Sequence, residues 1–571
     1  MERWEGKPVK RWVISVCCFL TVGLQSQNLE QIAKGDLLQV SGNLGYQQWF
    51  SHSRGMSAAR KPVGFLLNGS LNFQILGFVN APFTFFFSNQ GNGYTQPGFN
   101  QVALHPQWKW IRLNIGRISP VYSGYTLNGH LMDGVAAELS PGRFQFGFFT
   151  GRFQRAIIPE PGVSDADILP AFRRTGQGIK AGYAIPGKTL VQGVCIRIHD
   201  HVESIPPPAA YSGITPMANL ATSLSVQHTL SRRLSLQAEG AVSILNEDLY
   251  QAGPRLSVRQ LSGLKISTYP AVKAGLRFSP SAFNLGLNYE RVSPGYRTLG
   301  AYYFVNDLEN LHISSDFRLA RGKVSVALQG GLQHDNLNQS RLSSMLRRVG
   351  SVNLGLRPAS HTQFQLSYSN FISYTNLRAI TDVLTLKPYE WVDTLQFRQV
   401  ARQAAVSLTR SFRRAGGMSA FNGQFNWQQS GDAGHAGERR NQFVNAVFTW
   451  SSQQQSSGRG ISAGINTSRS DWSQNSLWTM APVLQFQQPF AAKAGIWQAS
   501  ASYAGTLRNR DWVPGTWNLR SSAAYTLHKI HRFSLQAWCM HRASSALYPK
   551  SSEFAIIFSW QAGGNWGGGK R

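Results

Sequence analysis

The sequence predicts an all-β chain, a single transmembrane antiparallel β-barrel of about 22–26 strands with short turns on one side and long loops on the other. Three observations predict it. Segments of strictly alternating apolar and polar residues recur along the whole length. They run about 9–12 residues, the length a tilted strand needs to cross a bilayer, against about 5–6 in soluble sheets. The composition is also two-faced: 42% apolar and 12% aromatic residues, 55 Gly, and only 15% charged, where soluble chains carry roughly 25%.

The chain begins with a basic flank (Lys7, Lys10, Arg11), an apolar run from Trp12 to Leu24, and Leu24-Gln25-Ser26 ahead of Gln27. These are the three regions of a secretory signal peptide, and the run is too short to span a bilayer. Residues 1–26 are therefore expected to be a leader and 27–571 the barrel. Cys17 follows Ile14-Ser15-Val16; a bulky Val at that place argues against a lipoprotein leader. After Leu24 no apolar run reaches the length of a membrane helix. An exported, apolar-rich chain then has the closed barrel as its route across hydrocarbon, because every backbone N–H and C=O must be paired there.

The alternation starts at once. Leu38, Val40, Gly42, Leu44 and Tyr46 share one face, against Gln39, Ser41, Asn43, Gly45 and Gln47. Phe65, Leu67, Gly69, Leu71, Phe73 and Ile75 follow in the same manner. Leu234 to Val242, Phe283 to Tyr289 and Phe421 to Trp427 repeat it, with Asn, Gln, Ser and occasional charges between. Successive side chains of a strand point to opposite faces, so each segment has an oily side and a wet one. Aromatics recur at segment ends (Tyr46, Tyr183, Phe278, Tyr289, Tyr368, Trp450, Tyr525), where an interfacial girdle sits. Tight connections at 140–143, 185–187, 230–233, 279–281 and 320–323 alternate with long ones at 151–175, 200–216, 245–267 and 372–399. The tight side is expected to be periplasmic. With the weaker segments 82–89 and 99–104 the count reaches about 26, and without them about 24, both even as a hairpin barrel requires. The last segment presents Phe554, Ile556, Phe558 and Trp560 on one face, with 561–571 expected to be a tail beyond it.

On these residues the chain resembles the large porin-type barrels of Gram-negative outer membranes. The last segment looks like the strand that outer-membrane assembly machinery reads, apart from its tail. One local stretch adds to the likeness: Leu113 to Pro120, then Tyr125-Thr126-Leu127-Asn128-Gly129, then Val135 to Leu139 and Pro141-Gly142-Arg143-Phe144. It is similar to the strand, constriction-type loop and returning strand of anion-selective porins. The resemblance implies that a loop bearing Tyr122, Tyr125, Asn128 and His130 folds inward; an ordinary external loop is the alternative.

Strand parity places Arg112, Lys180, Arg197, Lys273, Arg277, Arg318 and Arg520 on the lumen side, and Arg117, at the start of the inward loop, is expected to line the pore with them. Glu138, Glu239, Glu290 and Asp316 face them. A basic excess in a confined pore lowers the energy of anions; alternatively the same charges pair and tie neighbouring strands together. The formal net charge of +29 has no basic helix or nucleic-acid motif behind it, so no nucleic-acid partner is expected.

No catalytic constellation emerges, and the chain is expected not to be an enzyme and to use no cofactor or metal. Gly460-Ile461-Ser462-Ala463-Gly464 matches the serine-hydrolase elbow but lies within an alternating segment with no helix behind it. His199-Asp200-His201 and His528 with His531 each lack a third ligand of clear geometry. Cys195 and Cys539 are expected on strand faces of opposite sense, unable to pair. Two functions follow: a passive, anion-preferring channel, or an accessory barrel within an outer-membrane assembly, secretion or uptake complex. The expected partners are outer-membrane lipid and lipopolysaccharide, small solutes or anions, and a protein that closes the lumen.

Overall fold

A computed structural model of the chain describes residues 38–55, 62–89, 100–158, 170–206, 214–252, 266–302, 305–340, 346–370, 400–414, 416–432, 439–472, 475–509, 511–544 and 550–566. The expected leader 1–26 and the 372–399 connection lie outside the described residues, as do the centres of the other long connections.

The described residues form one closed antiparallel barrel of 26 strands, the upper end of the expected range. Numbered as segments they run from β1 (Leu38–Arg54) to β27 (Ser551–Trp566). Two of them, β4 (Gln101–Leu104) and β5 (Gln107–Trp108), are halves of one broken strand. Both lie between β3 (Val79–Ser88) and β6 (Ile111–Ile118). The break falls at Pro106, which has no N–H to give a ladder. Its carbonyl still accepts from Leu113 N at 2.9 Å. Each strand pairs with its neighbour in sequence, and β1 closes the ring on β27 from Val40↔Trp566 to Arg54↔Ser552. The expected tail thus belongs, as far as Trp566, to the closing strand.

Register fixes the facing of every side chain. Asn43 opposes Ser70, which opposes Thr84, which opposes Ala103. Further round the ring Arg318, Ser325, Gly355, Gln365, Ser407 and Gln424 form one polar inner row. The outer rows are oily: Phe283, Phe317, Val326, Leu354, Leu366, Val406 and Phe425 align across consecutive strands. Such residues stay exposed, Ile179 at 53%, Leu224 at 59% and Leu535 at 53% among them. A continuous apolar belt of this extent is incompatible with water, and lipid tails are its solvent. The chain has the architecture of the large outer-membrane β-barrels.

At the tight-turn rim outward aromatics pack on one another: Phe144 edge-on to Tyr183 at 5.4 Å, Phe278 edge-on to Phe283 at 6.0 Å, and Phe490 stacked with Tyr525 at 6.3 Å. This is the girdle expected at the lipid–water boundary. Cys195 and Cys539 both face outward, one opposite Ile179 and the other opposite Leu519. Contrary to the parity expectation their facing is the same; distant strands, β10 (Thr189–His201) and β26 (His531–Arg542), keep them free.

Candidate functional site

Buried apolar side chains collect inside one arc of the wall, from β6 to β14 (Phe283–Val292). The 119–131 connection, between β6 and β7 (Met132–Leu139), turns into the barrel and lies against that arc. Leu127 and Thr126 are fully buried, and Tyr122, Tyr125 and His130 nearly so, while Asn128 is exposed. Leu127 packs in one cluster with Phe149, Phe153, Val194, Ile196, Ile198 and Ala221 from the wall and Leu299 from a second inward connection, 293–307. The inner faces of β8 (Phe144–Gln154) and β10 are therefore apolar where the loop covers them. Burial of such groups is the driving force that holds the loop inside, at about 25 cal/mol per Å² of apolar surface removed from water.

Polar contacts fix its register. Tyr125 Oη donates to Glu290 Oε1 at 2.6 Å, and Ser123 Oγ donates to Glu239. Gln192 Nε2 donates to the Tyr122 carbonyl at 2.7 Å, and the Lys180 ammonium sits 4.6 Å above the Tyr122 ring. The second connection clamps the first from behind. Tyr296 Oη donates to the Tyr125 carbonyl at 2.7 Å, Thr298 Oγ1 to the Thr126 carbonyl at 2.8 Å, and Asn128 N to the Gly300 carbonyl at 3.0 Å. Gly300 is a glycine for want of space: a Cβ there would lie 2.5 Å from the Thr126 carbonyl oxygen and 2.9 Å from Ile196 Cδ1. His130 stacks on Tyr302 at 3.9 Å and meets Phe153 edge-on at 5.0 Å. Burial, with the nearby positive charges of Arg174 and Arg117, holds its imidazole down at about 4, against a partly opposing hydrogen bond with the Leu131 carbonyl. Burial likewise pushes the Tyr122, Tyr125 and Tyr296 hydroxyls upward, the neighbouring carboxylates adding to it. All three stay neutral, and those of Tyr125 and Tyr296 donate hydrogen bonds.

The charged residues singled out from sequence divide into four groups. Arg112, Glu138 and Lys180 come together on the inner wall, with Glu138 3.6 Å from Arg112 and 3.7 Å from Lys180. Glu239, Lys273 and Glu290 are successive register partners on the inner face of β12 (Leu234–Asn246), β13 (Ile266–Phe278) and β14. Arg277, Arg318, Asp316 and Arg520 also take inner-face register, opposite Gly286, Ser325, Asn284 and Ser500. Two residues are corrections. Arg117 has the parity of Ile115, whose partner Val135 is exposed to lipid. It pairs with Asp133 at 3.0 Å, as does Arg152 at 3.0 Å, on the outward side of the long-loop rim. Arg197 faces outward as well, in line with Gln177, Thr150, Val135 and Leu220. The reason is the loop: Ile196 and Ile198 turn inward to cover it, so apolar residues occupy the wet face and reverse the reading of that strand.

Sequence reasoning missed the second inward connection. Its signal was the run Gly295-Tyr296-Arg297-Thr298-Leu299-Gly300, two glycines bracketing bulky residues with no alternation. It also missed Arg174 and Asp200, a bidentate pair at 2.7 and 2.9 Å in which Asp200 is buried and accepts from Met217 N. Asp200 points inward while His199 and His201 take the opposite parity, so the pleat splits that triplet as a metal site. Among the described residues no group of three metal-ligating side chains converges. Ser462 lies mid-strand in β22 (Gly460–Trp472), without an elbow.

No protein-family model matches the chain. No curated protein matches it in sequence either. Among solved structures it is similar to the P pilus usher (PapC) translocation pore, at 13% identity over 92% of this chain and 99% of that one, with a TM-score of 0.38. It is similar also to a chain of the E. coli P pilus tip assembly intermediate PapC-PapD-PapK-PapG, at 11% identity, 95% and 62% coverage, and a TM-score of 0.45. A third is OccK11 (OpdR) of Pseudomonas aeruginosa, at 9% identity, 93% and 97% coverage, and a TM-score of 0.31. At this distance a role has to be argued from the chain's own residues.

Proposed function

We propose that the protein is a passive outer-membrane channel for small hydrophilic solutes, with a preference for anions. The observation that carries this reading is the inward loop 119–131, held by wall carboxylates and a second loop inside a closed barrel with an oily exterior. A loop inside a polar-walled barrel narrows the bore without filling it. The charges decide the sign. Glu138 faces both Arg112 and Lys180, and Glu239 and Glu290 accept hydrogen bonds from loop hydroxyls. Lys273, Arg277, Arg318 and Arg520 stand on the inner wall against few remaining acids. Water screens poorly across a confined pore, so this excess favours anions.

The test is single-channel conductance of the refolded protein in a planar bilayer under a salt gradient. Steady conductance with an anion-directed reversal potential is expected, weakened by Arg318→Glu with Arg520→Glu. A folded but silent barrel would overturn the channel reading in favour of a scaffold whose lumen a partner protein occupies.

A further inference from the structure

The two rims of the barrel differ in charge. Connections on the tight-turn rim contain no Asp or Glu, and most contain Lys or Arg: Arg143, Lys188, Arg233, Lys323, Lys493 and Lys529 stand in successive parts of the ring. All six are exposed. Among the described residues the ion pairs lie elsewhere, either in the lumen (Glu138 with Arg112 and Lys180) or toward the long-loop rim (Asp133, Asp200, Glu309 and Asp471 with their arginines). Among the described residues the tight-turn connections thus form a circle of cations with no ion pair to a carboxylate.

Two cations of this rim, Arg143 and Lys109, and Arg410 on the outward face of β19 (Val400–Arg414) rest on outward aromatic side chains. Arg143 Nη1 reaches the Tyr183 hydroxyl at 3.5 Å, Lys109 Nζ lies 5.2 Å from the Trp108 ring centre, and the Arg410 guanidinium lies 4.9 Å from that of Phe412. Tyr183, Trp108 and Phe412 belong to outward rows, as their register partners Phe144, Ile111 and Ser419 continue those rows round the wall. Cations resting on an outward aromatic girdle sit at headgroup level beside lipid, not at the mouth of the pore.

We propose that this rim is a ring of binding sites for the phosphate of anionic phospholipid headgroups in the leaflet around it. A docked acidic protein would need a patch on one sector; a leaflet surrounds the barrel, as these cations do. A cation at a membrane surface favours an anionic over a neutral lipid by about fivefold, and several around one circumference select an anionic annulus.

The inference needs the barrel in a bilayer but not conduction, so its test stands apart from the conductance experiment. The full chain is reconstituted in mixed vesicles, and quenching of its tryptophans is compared between brominated phosphatidylglycerol and brominated phosphatidylcholine. The wild type should favour the phosphatidylglycerol several-fold, a preference lost in about 1 M salt. The variant Lys109→Gln, Arg143→Gln, Lys188→Gln, Arg232→Gln, Arg233→Gln, Arg321→Gln, Lys323→Gln, Arg459→Gln, Lys493→Gln, Lys529→Gln, with its fold checked by circular dichroism, should bind both lipids alike. Inorganic phosphate should act no more strongly than sodium chloride of equal ionic strength; stronger competition would make these free-phosphate sites and overturn the lipid assignment. Equal quenching by the two lipids in the wild type, or a preference that survives in the folded variant, would overturn it too and leave the ring to an acidic partner.

Discussion

The wall from β6 to β14 and the wall from β19 (Val400–Arg414) to β25 (Asp511–Leu527) are built from the same kind of hairpin, yet their inner faces differ. The first is lined by Phe149, Phe153, Val194, Ile196 and Ile198 where the loop lies on it. The second carries Gln424, Asn466, Ser462, Gln485, Ser500 and Asn518 in inner register. The lesson is that a barrel's inner face is polar only where water touches it. Once a loop is laid along a strand, the wet face becomes a small protein core, and alternation in hydrophobicity stops reporting which way is out.

The contrast breaks most completely where the two inward connections touch. Gly300→Leu forces a side chain against the Thr126 carbonyl and Ile196; overpacking of this kind costs about 1–3 kcal/mol or more. The loop should leave the wall, and the single-channel conductance should rise to that of a barrel lacking residues 121–129. Unchanged conductance would mean the loop does not limit the bore. Next, Leu127→Ala removes a fully buried anchor at a cost of about 2–5 kcal/mol. Its expected signature is rapid flicker between two conductance levels, with the barrel's own heat resistance unaltered.

Acid should have a related effect. His130 is neutral where it is packed, held at about 4, and has its ordinary 6.5 when released to water. Its folded value is depressed, so its contribution to the packed state is complete above pH 6.5 and declines as pH falls toward 4. The full loss is about 3 kcal/mol. Open-level occupancy should therefore rise between pH 6.5 and 4. His130→Phe, which keeps the stack on Tyr302, should abolish that rise; a wild-type channel indifferent to this pH range would contradict the assignment. The smallest expected effect separates the two faces of one strand. Arg112→Gln should shift the reversal potential slightly, because it faces the lumen. Arg117→Gln should leave it unchanged, because that guanidinium serves Asp133 on the outer rim. Equal shifts would put Arg117 back inside the pore.

Much of the architecture is legible in the sequence because lipid and water impose opposite demands on alternate residues. Even the weak segments around Phe83 and Val102 are strands, paired with each other as Phe85↔Val102. Lys273, Glu290 and Arg318 take the inner-face register of their strands, where the alternation is undisturbed. Arg197 was illegible because its neighbours Ile196 and Ile198 answer to Leu127, more than sixty positions away in the chain, and no local pattern carries that contact. Arg117 was illegible for a different reason. Gly116, at φ 103°, lies between two charges that sequence reading had placed on one side, whereas the strand keeps Arg112 and Arg117 on opposite faces.

The seam between β1 and β27 has a consequence for the making of the protein. Among the described residues the strand that completes the ring, Ser551–Trp566, follows every other strand, and its partner precedes them all. No earlier stretch of the polypeptide can shut the circle. A chain cut short before this strand would carry two bare edges, each a row of unmatched amides that hydrocarbon does not tolerate and that another open edge would capture. Closure is in this sense written into the order of the chain, since the edge of β1 stays bare until β27 has been made and paired with it.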